Sequence, residues 1–115
     1  MELEAIRNYC LKMKGVTEEY PFDEKTATFK VLGKVFLYTD IFDPSEIVVK
    51  CDPEKAIDLR ASNPSVLPGY HSNKKYWNSI LIDGSLSDDF IFEQIDHSYD
   101  EVVKKLPKKL RESLS

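Results

Sequence analysis

The chain has 115 residues, which suits one domain over residues 1–115 with its own core; 42% of the residues are apolar and 31% are charged. These fractions are typical of globular proteins and exclude a mainly disordered chain. The formal charge of −4 gives no overall attraction to phosphate, so any nucleic-acid binding must come from a local basic patch.

Two sequence features bear on the cellular setting. Apolar runs such as residues 35–38 and 80–82 are far shorter than the roughly 20 residues that cross a bilayer, and the acidic start is unlike a secretory signal. Cys10 and Cys51 are too few for a disulfide scaffold and are predicted to be reduced core thiols. We therefore expect a cytoplasmic protein that does not engage a membrane.

The first segment, residues 2–13, is predicted to be an amphipathic helix ended near Gly15. Its apolar residues recur every three or four positions and share one stripe: Leu3, Ile6, Cys10 and Met13. Residues 17–25 are interpreted as a polar connector, in which Pro21 disfavours helix. Phe22 is expected to fill the core from this loop.

Three strands are predicted next, over residues 26–32, 34–41 and 46–51, because apolar and polar side chains alternate in them. Gly33 lies at the first turn, and Asp43-Pro44-Ser45 has the composition of the second. Short connections of this kind predict an antiparallel meander.

A second helix is predicted from Pro53 to about residue 61, since Asp52 suits the N-cap and proline the first helical position. Residues 62–69 hold two prolines and a glycine and are interpreted as a loop or a broken edge strand. Residues 76–82 are predicted to be the last strand.

The longest helix is predicted to start after Ser87, where two aspartates complement the helix dipole, and to stop before Pro107. A short basic helix over residues 108–114 closes the chain. This order of elements predicts an α+β fold with an antiparallel sheet of about five strands and helices packed on one face.

Several motifs along nearly the whole chain are informative together: EYPF (19–22), TFKVLGKVF (28–36), KCDPE (50–54), PGYH (68–71), NKKYWN (73–78), LIDGSL (81–86), SYD (98–100) and LPKK (106–109). With these motifs the chain resembles the MmcQ/YjbR family of small bacterial proteins. The resemblance implies a frataxin-like (CyaY-like) α+β architecture and DNA binding through a double-wing motif. The chain departs from it by carrying Phe22-Asp23 where members often have Phe-Gly.

Residues 70–78 interleave lysines with aromatic rings and amides. Lysines neutralise phosphates, exposed rings stack on bases for roughly 1–3 kcal/mol each, and asparagine can bind an adenine edge. The alternative is that the rings anchor the core while the lysines cap a solvated turn. The predicted nucleic-acid contacts are Tyr70, His71, Asn73, Lys74, Lys75, Trp77 and Asn78.

The tail is also basic, with Lys104, Lys105, Lys108, Lys109 and Arg111. These residues extend the patch if the last helix packs beside residues 70–78. The favoured interpretation is a simpler one, in which they complement the helix dipole and form a solvated face.

Catalytic and metal sites are not predicted. Asp96, His97 and Ser98 have the residue types of a triad, but consecutive helical side chains fan about 100° apart and cannot form a relay. The cysteines and histidines lack zinc-site spacing, and the isolated glycines imply no nucleotide cofactor. The frataxin-like resemblance leaves weak cation binding open at acidic residues near the first helix: Glu2, Glu4, Glu18, Glu19, Asp23 and Glu24.

The leading hypothesis is therefore a monomeric, non-enzymatic protein that binds DNA through residues 70–78. The alternative is a protein-interaction adaptor that docks a partner on its sheet face or sheet edge. An enzyme whose catalytic groups are distant in sequence is a third hypothesis.

Overall fold

The computed structural model describes residues 1–115 and contains four helices and six strands. In chain order they are α1 (Leu3–Leu11), β1 (Val16–Glu19), β2 (Thr26–Val31), β3 (Lys34–Asp40), β4 (Glu46–Lys50), α2 (Pro53–Ser62), β5 (Val66–Pro68), β6 (Trp77–Leu81), α3 (Asp88–Val103) and α4 (Lys108–Glu112). The strands form one antiparallel sheet in the order β1-β2-β3-β4-β6-β5. The predicted α+β class is confirmed, and the sheet has six strands where about five were expected.

The strand that sequence patterns missed is β1, which lies at one edge of the sheet and pairs with β2. Its sequence, VTEE, has a single apolar residue, so it gives no alternating signal. The following loop also differs from expectation, because Phe22 is 74% exposed and does not fill the core. The carboxylate of Asp23 accepts the backbone N–H groups of Lys25 and Thr26 at 3.0 and 2.7 Å, and this turn leads the chain directly into β2.

The predicted helix starts are confirmed by their hydrogen bonds. The carboxylate of Asp52 accepts the N–H of Lys55 at 3.1 Å, and the hydroxyl of Ser87 accepts the N–H of Phe90 at 3.1 Å. Residues 62–69, left open between loop and edge strand, contain the short edge strand β5. None of the helices is long and apolar enough to span a bilayer.

The core lies between the sheet and helices α1 and α3. Phe29 pairs with Leu37 and Lys30 with Val35, so Phe36 is the extra residue of a β-bulge. Phe36 and its neighbour Leu37 are consequently both buried in the core, despite being adjacent on one strand. They pack in one cluster with the helical residues Ile6, Cys10, Ile91, Ile95 and Val102.

The opposite face of the sheet carries a row of paired residues from four strands: Thr28, Tyr38, Val48 and Ser79. The segment after β5 contacts this row, since the hydroxyls of Tyr38 and Ser72 are 2.5 Å apart. The ring of Tyr38 also lies 6.2 Å from that of Trp77. The β5–β6 connection is thereby fixed beside the open face of the sheet.

Candidate nucleic-acid interface

The connection between β5 and β6, residues 69–76, is held at three points. The N–H of Gly69 donates to the carbonyl of Trp77 at 2.9 Å, and Ser72 contacts Tyr38 as described. From α2, the guanidinium of Arg60 donates to the carbonyl of Lys74 at 2.9 Å. A Cβ on Gly69 would lie 3.0 Å from the Cβ of Trp77, so the close approach of the two chains favours glycine at this position.

Two hollows flank this connection, and every charged side chain that lines them is a cation. The first, of about 330 Å³, is lined by Arg60, Lys74 and Lys75 together with Pro53 and Ile57. The second, also about 330 Å³, includes Lys34, Lys50 and Lys105 beside apolar residues near the end of α3. We call these cations the basic strip: Lys34, Lys50, Arg60, Lys74, Lys75 and Lys105.

The ring of Tyr76 joins the two hollows. The ammonium of Lys75, from the first hollow, lies 5.5 Å from its centroid. The ammonium of Lys105, from the second, lies 5.1 Å from the same point. Cations are attracted to an aromatic face at these distances, so one ring contacts a cation from each hollow.

Carboxylates do not neutralise the basic strip. All the ion pairs within 4 Å involve other cations, and Glu101, the acid that acts on Lys50, is itself paired with Lys104 at 2.6 Å. Burial is the main cause that lowers the pKa of Lys50, and the nearby positive charge of Lys105 lowers it further. The strip therefore has a positive charge that the protein leaves open to a partner, although the chain as a whole carries −4.

Four of the predicted contact residues lie on or beside the strip. Lys74 and Lys75 are exposed and line it. Tyr70 is 62% exposed, and the ammonium of Lys74 lies 5.0 Å from its ring centroid. Asn73 is exposed, and its side-chain oxygen accepts the N–H of Lys75 at 3.0 Å, which leaves the amide NH₂ as a donor.

The other three predicted contacts lie elsewhere. Asn78 is only 1% exposed, so the expectation that it binds an adenine edge is wrong; it pairs with Val49 and Pro68 in the middle of the sheet. Trp77 is half-buried against Tyr38. His71 is exposed but lines a hollow over the open sheet face, away from the strip.

Sequence patterns missed half of the strip. Lys34, Lys50 and Arg60 come from separate strands and a helix, and no local motif connects them with residues 70–78. Lys105 belongs to the basic tail, whose residues were expected mainly to complement the helix dipole. It is the one tail residue that forms part of the strip, through its contact with Tyr76. The rest of the tail is outside it: Lys104 pairs with Glu101, and Lys108 lies 4.0 Å from Glu112.

The hollow beside His71 has the opposite character. It measures about 380 Å³, and its acidic lining residues are Asp40, Asp43 and Glu46. Its lysine, Lys25, lies 3.8 Å from the carboxylate of Asp40. The surface is therefore polarised, with free cations on one side of the β5–β6 connection and carboxylates on the other.

Asp96, His97 and Ser98 have separate partners, as their helical spacing predicts. Asp96 accepts the hydroxyl of Tyr9 at 2.7 Å, and His97 Nε2 accepts the backbone N–H of Asp52 at 3.1 Å. Ser98 is bonded to the backbone of β3 and β4. These three side chains hold elements of the fold together.

The acidic residues near α1 are partly occupied by a cation of the protein. Arg7 donates to Glu4 at 2.6 Å and to Glu18 at 2.8 and 2.9 Å. Burial raises the pKa of Glu18, but hydrogen bonds from Arg7 and Tyr20 outweigh it and lower that pKa overall. No group of three or more potential metal ligands is present.

These features define a small α+β protein with an open antiparallel sheet and a one-sided positive surface. A model of the YjbR family matches residues 11–101, and the chain belongs to that family. It is 30% identical over 115 residues to YjbR of Escherichia coli K12, covering 99% of this chain and 98% of that protein. It is 32% identical over 107 residues to YbdF of Escherichia coli, covering 92% and 88% of the two chains.

Solved structures share this fold. The Deinococcus radiodurans protein DR2400, with the family-model domain DUF419, superposes with a TM-score of 0.90 at 37% identity, over 97% of this chain and 86% of that one. A protein from Pseudomonas syringae shares the fold with a TM-score of 0.75 at 24% identity, over 88% of this chain and 98% of the other. The two Escherichia coli relatives are described as uncharacterized, so function has to be argued from the surface.

Proposed function

We propose that this protein binds DNA in the cytoplasm through the basic strip and acts by binding alone, without catalysis. The observation that carries the proposal is the lining of the two hollows, which has six cations and no carboxylate in a chain with more acidic than basic residues. A random surface of such a chain would mix both signs. Lysine and arginine side chains gathered in this way neutralise successive phosphates of a polyanion.

The geometry supports a fixed binding surface. Arg60 ties α2 to the backbone at Lys74, and Tyr76 brings the side chains of Lys75 and Lys105 together. Cations held in place by the fold lose less conformational freedom on binding than freely rotating side chains. We therefore place the affinity in the strip and assign α4 no part in it.

The test compares two double variants in a titration of fluorescent DNA near 0.1 M salt. Lys74→Ala with Lys75→Ala removes two strip cations, and Lys108→Ala with Lys109→Ala removes the same charge from α4. If both strip ammonium groups contact phosphates, the first variant should bind about 25- to 60-fold more weakly, from the counterions no longer released. Equal affinity in wild type and in both variants would exclude the strip as the interface.

A second candidate function is a protein-interaction adaptor. It is favoured by Phe22 and Phe42, which are 74% and 75% exposed; Phe22 lines a separate hollow with Tyr38 and Ser72. Large exposed rings commonly mark docking surfaces. The two proposals separate in the same titration: a protein that serves only as an adaptor should not bind DNA, whereas binding that Lys74→Ala with Lys75→Ala weakens supports the strip.

A further inference from the structure

We propose that the basic strip takes a single strand of nucleic acid rather than an intact duplex, with one base stacked on the ring of Tyr70. This inference rests on the proposed function. Three observations lead to it: the exposure of that ring beside a free cation, the way residues 69–76 are held down, and the charge of the helices.

Tyr70 combines an open aromatic face with a phosphate ligand. The residue is 62% exposed, and the ammonium of Lys74 lies 5.0 Å from its ring centroid without a carboxylate partner. A base that stacks on the ring brings its own phosphate within reach of a neighbouring cation. In an intact duplex the base faces are already stacked on one another, so they are not available to the ring.

Tyr70 differs from the other rings of residues 70–78. Tyr76 already lies beneath two ammonium groups, and Trp77 is half-buried beside Tyr38. Only Tyr70 offers a largely free ring at the strip. We therefore expect one stacking position, with the remaining affinity supplied by phosphates along the strip.

The connection itself is not built to enter a groove. It is fixed to the sheet through Gly69 and Ser72 and to α2 through Arg60. A protein that reads the major groove projects a helix or a two-stranded ribbon into a groove about 8.5 Å deep. A segment tied down at three points presents its side chains along the surface, where a flexible strand can follow them.

The helices are equally unsuited to duplex DNA. The exposed positions of α3, the longest helix, include five carboxylates: Asp88, Asp89, Glu93, Asp96 and Asp100. Each would face phosphates if the helix lay in a groove, and like charges repel there. The exposed positions of α2 include the acids Glu54 and Asp58 beside Lys55, and α4, although basic, has only five residues.

The acidic hollow limits the path that a bound single strand of nucleic acid can take. Asp40, Asp43 and Glu46 lie beyond His71, on the side opposite to the strip. A polyanion is repelled by these carboxylates and is confined to the path from Arg60 through Lys75 to Lys105 and Lys34. That path crosses the surface between α2 and the end of α3 and does not cross the open sheet face.

The experiment measures fluorescence anisotropy of a labelled single-stranded oligonucleotide without self-complementarity and of the same sequence annealed to its complement. Wild type should bind the single strand at least about tenfold more tightly. Tyr70→Ala should weaken single-strand binding about 5- to 140-fold, the range equivalent to stacking of one base, and should change duplex binding little. Phe42→Ala, which removes an even more exposed ring outside the strip, is the matched control and should bind like wild type.

The outcomes separate the two proposals. Duplex affinity equal to or greater than single-strand affinity, or a folded Tyr70→Ala variant that binds the single strand like wild type, overturns this inference and leaves the proposed function standing. Absence of binding to both forms overturns the proposed function, and the inference falls with it. Unchanged far-ultraviolet circular dichroism and melting temperature establish that the variant is folded.

Discussion

The ammonium groups of Lys75 and Lys105 lie over the same ring, 5.5 and 5.1 Å from the centroid of Tyr76. The two lysines come from different elements, one from the β5–β6 connection and one from just beyond α3. Neither lysine has a carboxylate partner within 4 Å. A phosphate near this ring would be attracted by both charges, so this arrangement favours an anionic partner.

Lys75→Ala and Lys105→Ala should weaken DNA binding to a similar degree, although only Lys75 lies in residues 70–78, the segment predicted from the sequence to contact nucleic acid. Loss of one phosphate contact near 0.1 M salt corresponds to about a five- to eightfold weaker affinity. Lys109→Ala, an exposed lysine of α4, is the control and should bind like wild type. Wild-type affinity in the Lys105→Ala variant would remove the second hollow from the interface.

Ser98→Ala should destabilise the fold. The hydroxyl of Ser98 accepts the backbone N–H of Lys50 at 2.8 Å and donates to the carbonyl of Phe36 at 2.5 Å, and the residue is fully buried. Alanine leaves two backbone groups of β3 and β4 without a partner, at a cost of about 1–3 kcal/mol each. We expect urea denaturation to give a free energy of unfolding about 2–4 kcal/mol lower. A loss below about 0.5 kcal/mol would mean that the two groups find other partners.

His97 should make stability depend on pH. Its Nε2 accepts the N–H of Asp52, and burial followed by the charge of Lys55 lowers its pKa below 6.5. The folded state thus favours neutral imidazole, so its contribution is fully present above pH 6.5 and is lost as pH falls through the lowered pKa. The free energy of unfolding of wild type should therefore fall below pH 6.5 more steeply than that of His97→Asn, measured in urea. Parallel pH profiles for the two proteins would contradict this role.

The cysteines should be unreactive in the native protein. Cys10 and Cys51 are 0% and 2% exposed, as the sequence indicated, and burial raises their pKa values to about 12 and about 11. A thiol-specific reagent at pH 8 should modify neither residue within minutes, and both should react at once in denaturant. Rapid reaction of one thiol in native buffer would show that its surroundings open.

Much of the fold could be predicted from local signals. Helix caps and tight turns depend only on neighbouring residues, as at Asp52, Ser87 and Gly33. The helices and strands that begin or end there therefore lie close to their predicted positions. Strand β1 could not be found in this way, because it has one apolar residue and is defined by its pairing with β2. The bulge at Phe36 likewise depends on the register between two strands.

The site was predicted less completely, for a related reason. Lys74 and Lys75 were found because lysines and rings are adjacent in the sequence, but the alternation along β6 also places Asn78 on the buried side. Arg60 reaches the site through a hydrogen bond to a backbone carbonyl, and such a contact leaves no mark on the sequence. A cluster of charges that come from separate helices and strands can be identified only from the tertiary structure.

The salt dependence of DNA binding tests the central claim most directly. If the six strip cations neutralise phosphates, the logarithm of the association constant should fall linearly with the logarithm of the salt concentration, with a slope of about −4 to −5. Joint replacement of Lys75 and Lys105 by alanine should make that slope shallower by about 1.4 to 1.8. An affinity that does not change with salt would contradict binding through the strip.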